Sequence, residues 1–315
     1  MHLNIKSILM NNEQIKSPLV SHSEIKHLFD LSTKSLTQDY KKFNIDTRNL
    51  FKDIDIISAY QCNFTGYKFY YPPIQGDSKF YEECSKISWY YVPWKWEHEE
   101  ILKFLKNDDK ILEVGSGSSG FINGLIDKKI LDCTGLELNR EQVVIASSRG
   151  LNVLNESIEN HSLRNRLYYD IVCSFQVLEH VYDVKSFIQS SLDALKIGGK
   201  LIISVPNNGS YVYDSKNIFN SPPHHVGMWD EASLTSVANL FDLQLECIIT
   251  EPIQEHHKDF FFHVVYKNTF NFIYKFRLLR KVFELTIAKY FLNHILNYTT
   301  KWIPGHTIIA VYKKK

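Results

Sequence analysis

The chain has 315 residues, 44% hydrophobic and 23% charged, enough to bury a core in one large or two modest domains. A net charge of only +1 argues against a nucleic-acid binder that works mainly by neutralising phosphates. Five scattered cysteines, Cys62, Cys84, Cys133, Cys173 and Cys247, form no close pair that would suit a disulfide framework or a zinc site, and the first ten residues carry Lys6 and no long apolar run, so cytoplasmic residence is the expectation.

Three regions follow in chain order. Residues 1–107 are rich in aromatics with irregular periodicity, broken by Pro72, Pro73, Gly76 and Pro93, and end in a predicted helix over residues 97–105 with Ile101, Leu102 and Leu105 inward. Residues 108–259 alternate short apolar strands with helical segments, which predicts a mostly parallel α/β sheet. Strands are predicted over 110–114, 133–138, 151–154, 170–175 and 200–205. Asn139 and Asp183 stand as helix caps, and Gly150 and the pair Gly198 and Gly199 as helix stops. Residues 260–315 hold amphipathic helices and a closing strand over 306–312. From His257 onward eleven Lys and Arg face only Asp259 and Glu284, a local charge of +9 that leaves −8 on the rest. A basic helical face of this kind serves either as solvated cover for the sheet or as a contact for an anionic membrane or a lipid-linked glycan.

Gly115, Gly117 and Gly120 fit G-x-G-x-x-G between a strand and a helix, a spacing that suits any adenosine cofactor whose backbone contacts must be close. Glu113 narrows the choice, because a carboxylate two residues before the first glycine repels a pyrophosphate but suits an ammonium or a sulfonium. Glu137, twenty residues past Gly117, is placed to accept hydrogen bonds from two ribose hydroxyls.

Ile111-Leu-Glu-Val-Gly-Ser-Gly-Ser-Ser-Gly120, Gly135-Leu-Glu-Leu138, Ser174-Phe-Gln-Val-Leu-Glu-His180 and Leu195-Lys-Ile-Gly-Gly-Lys-Leu-Ile-Ile-Ser-Val-Pro-Asn207 together resemble the ordered motifs of class I S-adenosylmethionine-dependent methyltransferases. The resemblance implies a Rossmann-like fold with a mostly parallel seven-stranded sheet, and S-adenosylmethionine as cofactor. Glu113, Gly115 and Gly117 would then hold the methionine end, Glu137 the ribose, Leu138 a face of the adenine and Ser157 with Ile158 its edge, with Ser174 and Gln176 flanking the sulfonium. A dinucleotide-dependent dehydrogenase is the competing reading, and nothing after Pro206 resembles a hydride-transfer site.

Methyl transfer is an in-line displacement that needs alignment and exclusion of water, and a hydroxyl acceptor also gains from loss of its proton. His180, His224 and His225 are the candidates to assist, with His225 and His180 favoured as catalytic and His225 alternatively capping the helix that begins near Asp230. Gln176-x-x-Glu179-His180 resembles the Glu-x-x-Glu-His motif with which small-RNA 2′-O-methyltransferases and some quinone O-methyltransferases bind a divalent metal, but an amide replaces the first carboxylate, so no metal is expected.

The stretch Pro222-Pro-His-His225 is similar to one in many sugar- and polysaccharide-modifying methyltransferases. Tyr60-Gln-Cys-Asn-Phe-Thr-Gly-Tyr-Lys-Phe-Tyr-Tyr-Pro72 and Lys95-Trp-Glu-His98 resemble bacterial methyltransferases of surface-glycan synthesis, except that Thr65 replaces a cysteine that would complete a zinc pair. Tyr90, Tyr91, Trp94 and Trp96 either form a lid that stacks on cofactor or sugar or belong to the core. A saccharide O-methyltransferase is therefore expected. A methyltransferase of a lipid-like quinone precursor and a non-catalytic cofactor-binding scaffold are the alternatives.

Overall fold

The computed structural model describes residues 15–87, 89–90, 92–214, 217–269, 290, 294 and 298–315. The chain begins with β1 (Ile25–Ser32), α1 (Thr33–Lys41), β2 (Ile56–Cys62), β3 (Lys68–Tyr71), α2 (Ser78–Ser85) and α3 (Trp96–Ile101). The α/β succession follows as β4 (Ile111–Val114), α4 (Gly120–Asp127), β5 (Cys133–Leu136), α5 (Arg140–Ser148), β6 (Val153–Leu154), α6 (Ile158–Arg164), β7 (Tyr169–Phe175), α7 (Val184–Ala194) and β8 (Leu195–Pro206). It closes with α8 (Tyr211–Asp214), β9 (Gly227–Met228), α9 (Glu231–Leu240), β10 (Leu243–Pro252), α10 (Lys258–Thr269) and β11 (Pro304–Lys314).

Seven strands form one sheet in the order β10-β11-β8-β7-β4-β5-β6, in which β11 runs antiparallel to both its neighbours and the remaining pairs are parallel. This is the Rossmann-like methyltransferase fold. Parallel strands buried on both faces need apolar residues at every position, and β8 shows why: Leu201, Ile203 and Val205 enter one core layer while Ile202 enters the other. Ile111 and Leu112 of β4 divide in the same way.

Asn139 caps α5 by accepting from the amides of Glu141 and Gln142, and Asp183 caps α7 by accepting from Ser186. Gly150 follows α5 with φ +76°. The end of α7 differs from the sequence expectation. The helix stops at Ala194 instead of Gly198, because the carbonyls of Asp193 and Ala194 are taken by the amides of Leu167 and Tyr168, and Lys314 Nζ donates to the carbonyls of Leu192 and Leu195. Once those carbonyls are satisfied from outside, the chain leaves the helix and pairs Leu195 with Tyr169.

The amino-terminal aromatics make a second, four-stranded sheet, β1-β2-β3-β9, whose last strand comes from the far side of the chain. Tyr67 packs on Trp229 with ring centroids 4.3 Å apart. Beyond this pairing, Tyr70 N–H donates to Val226 O and Gly76 N–H to Pro223 O. The second sheet thus grips residues 223–228. The basic amphipathic helix expected around Arg277, Arg280, Lys281 and Glu284 lies outside the described residues.

Candidate active site

The glycine loop leaves β4 at the carboxyl edge of the sheet, where ligands enter this class of fold. Gly115 has φ +79°, and a Cβ there would lie 2.5 Å from Val177 Cγ2, so both the backbone angle and the space require glycine. The amides of Gly115 and Ser116 both donate to Leu136 O. Glu137 ties the loop from the other side, accepting from Gly117 N–H at 2.7 Å and from Asn139 N–H at 2.8 Å. Asn155 Nδ2 donates to the carbonyls of Glu137 and Leu138, so the turns after β4, β5 and β6 form one hydrogen-bonded unit.

Glu113 lies under this loop, 4% exposed, and its Oε2 has no hydrogen-bond partner among the described residues. Burial pushes its carboxyl well above the usual range, an effect opposed by the charge of Lys95. Ser116 Oγ and Ser174 Oγ are likewise buried without partners. A pyrophosphate does not fit beside Glu113. An amino-acid ligand does, because its ammonium suits the carboxylate and its polar atoms can satisfy the hydroxyls.

The other predicted cofactor residues have mixed placements. Leu138 is 72% exposed just past β5. Ser157 caps α6, accepting from Asn160 N–H, and the Ile158 side chain belongs to the core. Ser174 lies within β7, one residue before its end. Gln176 takes φ +57° and turns its amide inward, with Nε2 donating to Ser204 Oγ at 3.1 Å and to Glu97 Oε1 at 3.4 Å.

Next to this loop the histidines meet. The turn after β7 carries Glu179 and His180, and the turn before β9 carries His224 and His225. Val226 N–H donates to Glu179 O, and His180 Nδ1 lies 2.6 Å from His224 O, a carbonyl that can only accept. The Nδ1 proton of His180 is thereby fixed, and its Nε2 keeps a lone pair. His225 is fixed by a longer chain: its Nδ1 donates to Asn220 Oδ1 at 3.2 Å, Asn220 Nδ2 donates to Asn208 Oδ1 at 2.7 Å, and Asn208 Nδ2 donates to Pro206 O. Its Nε2 is also left with a lone pair.

Both Nε2 atoms lie 3.9 Å from Glu179 Oε1. Glu179 is 1% exposed, and neither of its oxygens has a hydrogen-bond partner among the described residues. Burial raises its carboxyl to about 8 and lowers His180 to about 4. His224 and His225 fall well below the usual imidazole range for the same reason. His224 is differently engaged, donating from Nδ1 to Phe219 O and accepting at Nε2 from the Tyr90 hydroxyl at 3.0 Å. His225 does not cap the following helix, since Asp230 accepts from Ser233 N–H and does so itself.

A family model described as a methyltransferase domain matches residues 89–248, half of the chain. This chain belongs to that family. The methyltransferase is similar over about a third of its length to the ubiquinone biosynthesis O-methyltransferases of Cronobacter sakazakii, 29% identical over 107 residues, and Vibrio vulnificus, 31% identical over 112 residues. The matched segments cover 44% and 47% of those proteins, so the chain spans less than half the length of the curated relatives it matches. Among solved structures it is similar to a SAM dependent methyltransferase from Archaeoglobus fulgidus, with a TM-score of 0.49 and 14% identity over 69% of this chain and 93% of that one. The unpartnered Glu113 Oε2 beneath the glycine loop fits the ammonium group of S-adenosylmethionine, the cofactor that the sequence motifs imply.

Sequence reading missed several residues of the site. Glu97 and His98, quoted in a motif but given no role, lie on the buried side of α3, Glu251 of β10 is buried within electrostatic reach of Glu97, and the charge of His306 on β11 bears on His225. Glu251 Oε2 accepts from Thr307 N–H, and burial reinforced by the nearby Glu97 raises its carboxyl to about 7. Asn220 was missed for a plainer reason. An asparagine in the run Asn220-Ser-Pro-Pro223 reads as a turn residue, and its partners are five and twelve positions away.

Of the predicted aromatics, Trp94 stacks on Phe121 at 6.1 Å, Trp96 packs against the core and Tyr90 lies edge-on to His224 at 5.6 Å; Tyr81, which was not among them, lies edge-on to His180 at 5.7 Å. Tyr91 lies outside the described residues. No helix among the described residues is long and apolar enough to cross a membrane.

Proposed function

We propose that this methyltransferase transfers the methyl group of S-adenosylmethionine to a hydroxyl oxygen of a saccharide, either a sugar nucleotide or a growing surface glycan. The observation that carries the reading is the pair of neutral imidazoles, His180 and His225, whose free Nε2 atoms converge on one Glu179 oxygen in the turn after β7, the strand beside β4 and its glycine loop. The Val177 side chain, which leaves no room for a Cβ on Gly115, precedes His180 by three residues. A hydroxyl needs this kind of neighbour, because its oxygen attacks well only as its proton leaves. An already basic amine would not.

The saccharide class is supported by the amino-terminal segment that resembles surface-glycan methyltransferases: it builds β2 and β3, and the segment 70–76 holds the histidine turn through Tyr70 and Gly76. The similarity to ubiquinone O-methyltransferases favours a second reading, in which a phenolic quinone precursor is the acceptor. Incubation with S-adenosylmethionine and a panel of sugar nucleotides, glycans and catechol-type precursors, with S-adenosylhomocysteine and product mass as readouts, separates them. A methyl ether on a sugar is expected. Turnover of the phenols alone would shift the assignment to the second reading, and binding without turnover on any acceptor would leave a cofactor-binding scaffold. In the same assay His225→Ala should lower turnover about 100-fold and leave cofactor affinity within about twofold.

A further inference from the structure

We infer that Glu97, Tyr211, Glu251 and His306 form an acceptor subsite that holds the non-reacting hydroxyls of an uncharged sugar ring beside His225. The inference rests on the saccharide reading for which molecule is methylated, and on this chain's own geometry for where its ring sits. β8 ends at Pro206, on the carboxyl edge of the sheet, and the relay from His225 through Asn220 and Asn208 finishes on the Pro206 carbonyl. Beside it, Asn207 N–H donates to His306 O at 2.7 Å, and Thr307, the ladder partner of Pro206, donates its N–H to Glu251 Oε2 at 3.0 Å. Gln176 joins from the turn after β7, its Nε2 donating to Glu97 Oε1 at 3.4 Å. Glu97 lies within electrostatic reach of both Glu179 and Glu251, Tyr211 of Glu251, and His306 of His225. The four side chains thus extend the polar wall that begins at the reacting histidines.

This wall is buried and incompletely satisfied. Glu97 and Glu251 are each 3% exposed, and neither pairs with a lysine or arginine within 4.0 Å among the described residues. Tyr211 is 8% exposed, its hydroxyl meets no partner among the described residues, and its ring is held edge-on by Phe261 at 5.3 Å. His257 Nδ1 is buried without a partner as well, and its ring stacks on His306 at 5.0 Å. The exposed ring of His256 packs 4.1 Å from His257, so the stack runs from the surface inward to His306. Unpartnered buried polar groups are costly, and a set of them side by side marks a place where a polar ligand supplies the missing bonds.

The ligand that fits is a polyol. Burial lowers His306 to about 4 and His257 to about 3, so at neutral pH both imidazoles are uncharged, and it raises Glu251 to about 7. A tyrosine hydroxyl, an imidazole and a carboxyl offer donors and acceptors together, and each sugar hydroxyl is both; a carboxylate can also take two neighbouring hydroxyls at once. An anionic ring such as a uronate would be desolvated against Glu97, Glu179 and Glu251. Lys95 offsets that cost only in part, because its charge is shared with Glu113 and Glu179. A phenolic ring with an apolar tail has too few hydroxyls to meet these groups. The subsite therefore sets the choice of sugar, while His180 and His225 serve the reacting oxygen.

The test uses the full chain loaded with S-adenosylhomocysteine and titrated with the methyl glycosides of glucose, galactose, mannose and rhamnose, of glucuronate and galacturonate, and of glucosamine, read by saturation-transfer NMR. At least one neutral glycoside is expected to bind, and the uronates about 10-fold more weakly. Tyr211→Phe should weaken binding of the neutral glycoside about 5-fold, the equivalent of one hydrogen bond. Unfolding temperature and S-adenosylhomocysteine affinity should not move, since the hydroxyl removed has no partner among the described residues. Glu251→Gln keeps an acceptor for Thr307 N–H and removes the charge, so the preference over uronates should shrink about threefold. Binding of no neutral glycoside, equal or tighter binding of a uronate or the glucosamine glycoside, or unaltered affinity in Tyr211→Phe overturns the inference. Binding is read without methyl transfer, so a glycoside that binds through Tyr211 and Glu251 but is not methylated counts against the saccharide acceptor alone. A methylated glycoside indifferent to both substitutions counts against the subsite alone.

Discussion

The cofactor half and the acceptor half of this site lie side by side, yet they are built in different ways. In the cofactor half, Glu113, Gly115, Gly117 and Glu137 fall within 25 positions and are held by strand-to-helix turns whose hydrogen bonds join consecutive β-α steps. In the acceptor half, Glu179 and His180 meet His225 across 45 or more positions, and the turn that carries His225 is held by β3 and by an amide relay through Asn220 and Asn208. A generic cofactor can be served by a local motif shared by many chains. A particular acceptor needs side chains collected from regions free to vary.

The sharpest way to break this contrast is to damage the cofactor half from outside it. A Cβ on Gly120 would lie 2.0 Å from the Pro93 carbonyl oxygen, a backbone atom that cannot swing aside. Gly120→Ala should therefore cost about 1–3 kcal/mol of stability and weaken S-adenosylhomocysteine binding, read by thermal unfolding and calorimetry. Retained affinity would show that the aromatic segment 92–96 is only packing and no part of the cofactor half.

A smaller effect tests the independence of the acceptor half. Asn220→Ala removes the acceptor for His225 Nδ1–H and lets the imidazole rotate or change tautomer. Turnover should fall about 10-fold, the equivalent of one lost hydrogen bond, while cofactor affinity stays constant. A loss of cofactor affinity as well would mean that the two halves are coupled through the loop carrying Val177.

The smallest expected change concerns the edge strand. Glu251 keeps its proton in the folded protein up to about pH 7, whereas its unfolded value is 4.5. Its contribution to stability is therefore full below pH 4.5 and is lost as the pH rises through 7. Glu251→Gln should flatten the dependence of unfolding temperature on pH within that window. An unchanged slope would remove Glu251 as its source.

Much of the fold was legible because it rests on periodicity and local chemistry. The five β-α steps, the caps Asn139 and Asp183 and the stop at Gly150 all stand where the sequence placed them. The error at the end of α7 is instructive. Gly198 does adopt φ +78°, as a helix stop would, but Lys314, more than a hundred positions away, had already satisfied the carbonyls that end the helix at Ala194. The amino-terminal sheet was illegible for a related reason, since its aromatic strands alternate poorly and its fourth strand is only Gly227–Met228.

The sequence by itself determined the parallel sheet, the glycine loop and its two acids, because each depends on residues a few positions apart and on spacings that admit few alternatives. Only the tertiary structure decided which histidine nitrogens are free and that both face a buried carboxylate without a partner. Proton placement on an imidazole is set by whatever accepts from its other nitrogen. Here those acceptors are the Asn220 amide and the His224 carbonyl, and no spacing in the sequence shows which way either will point.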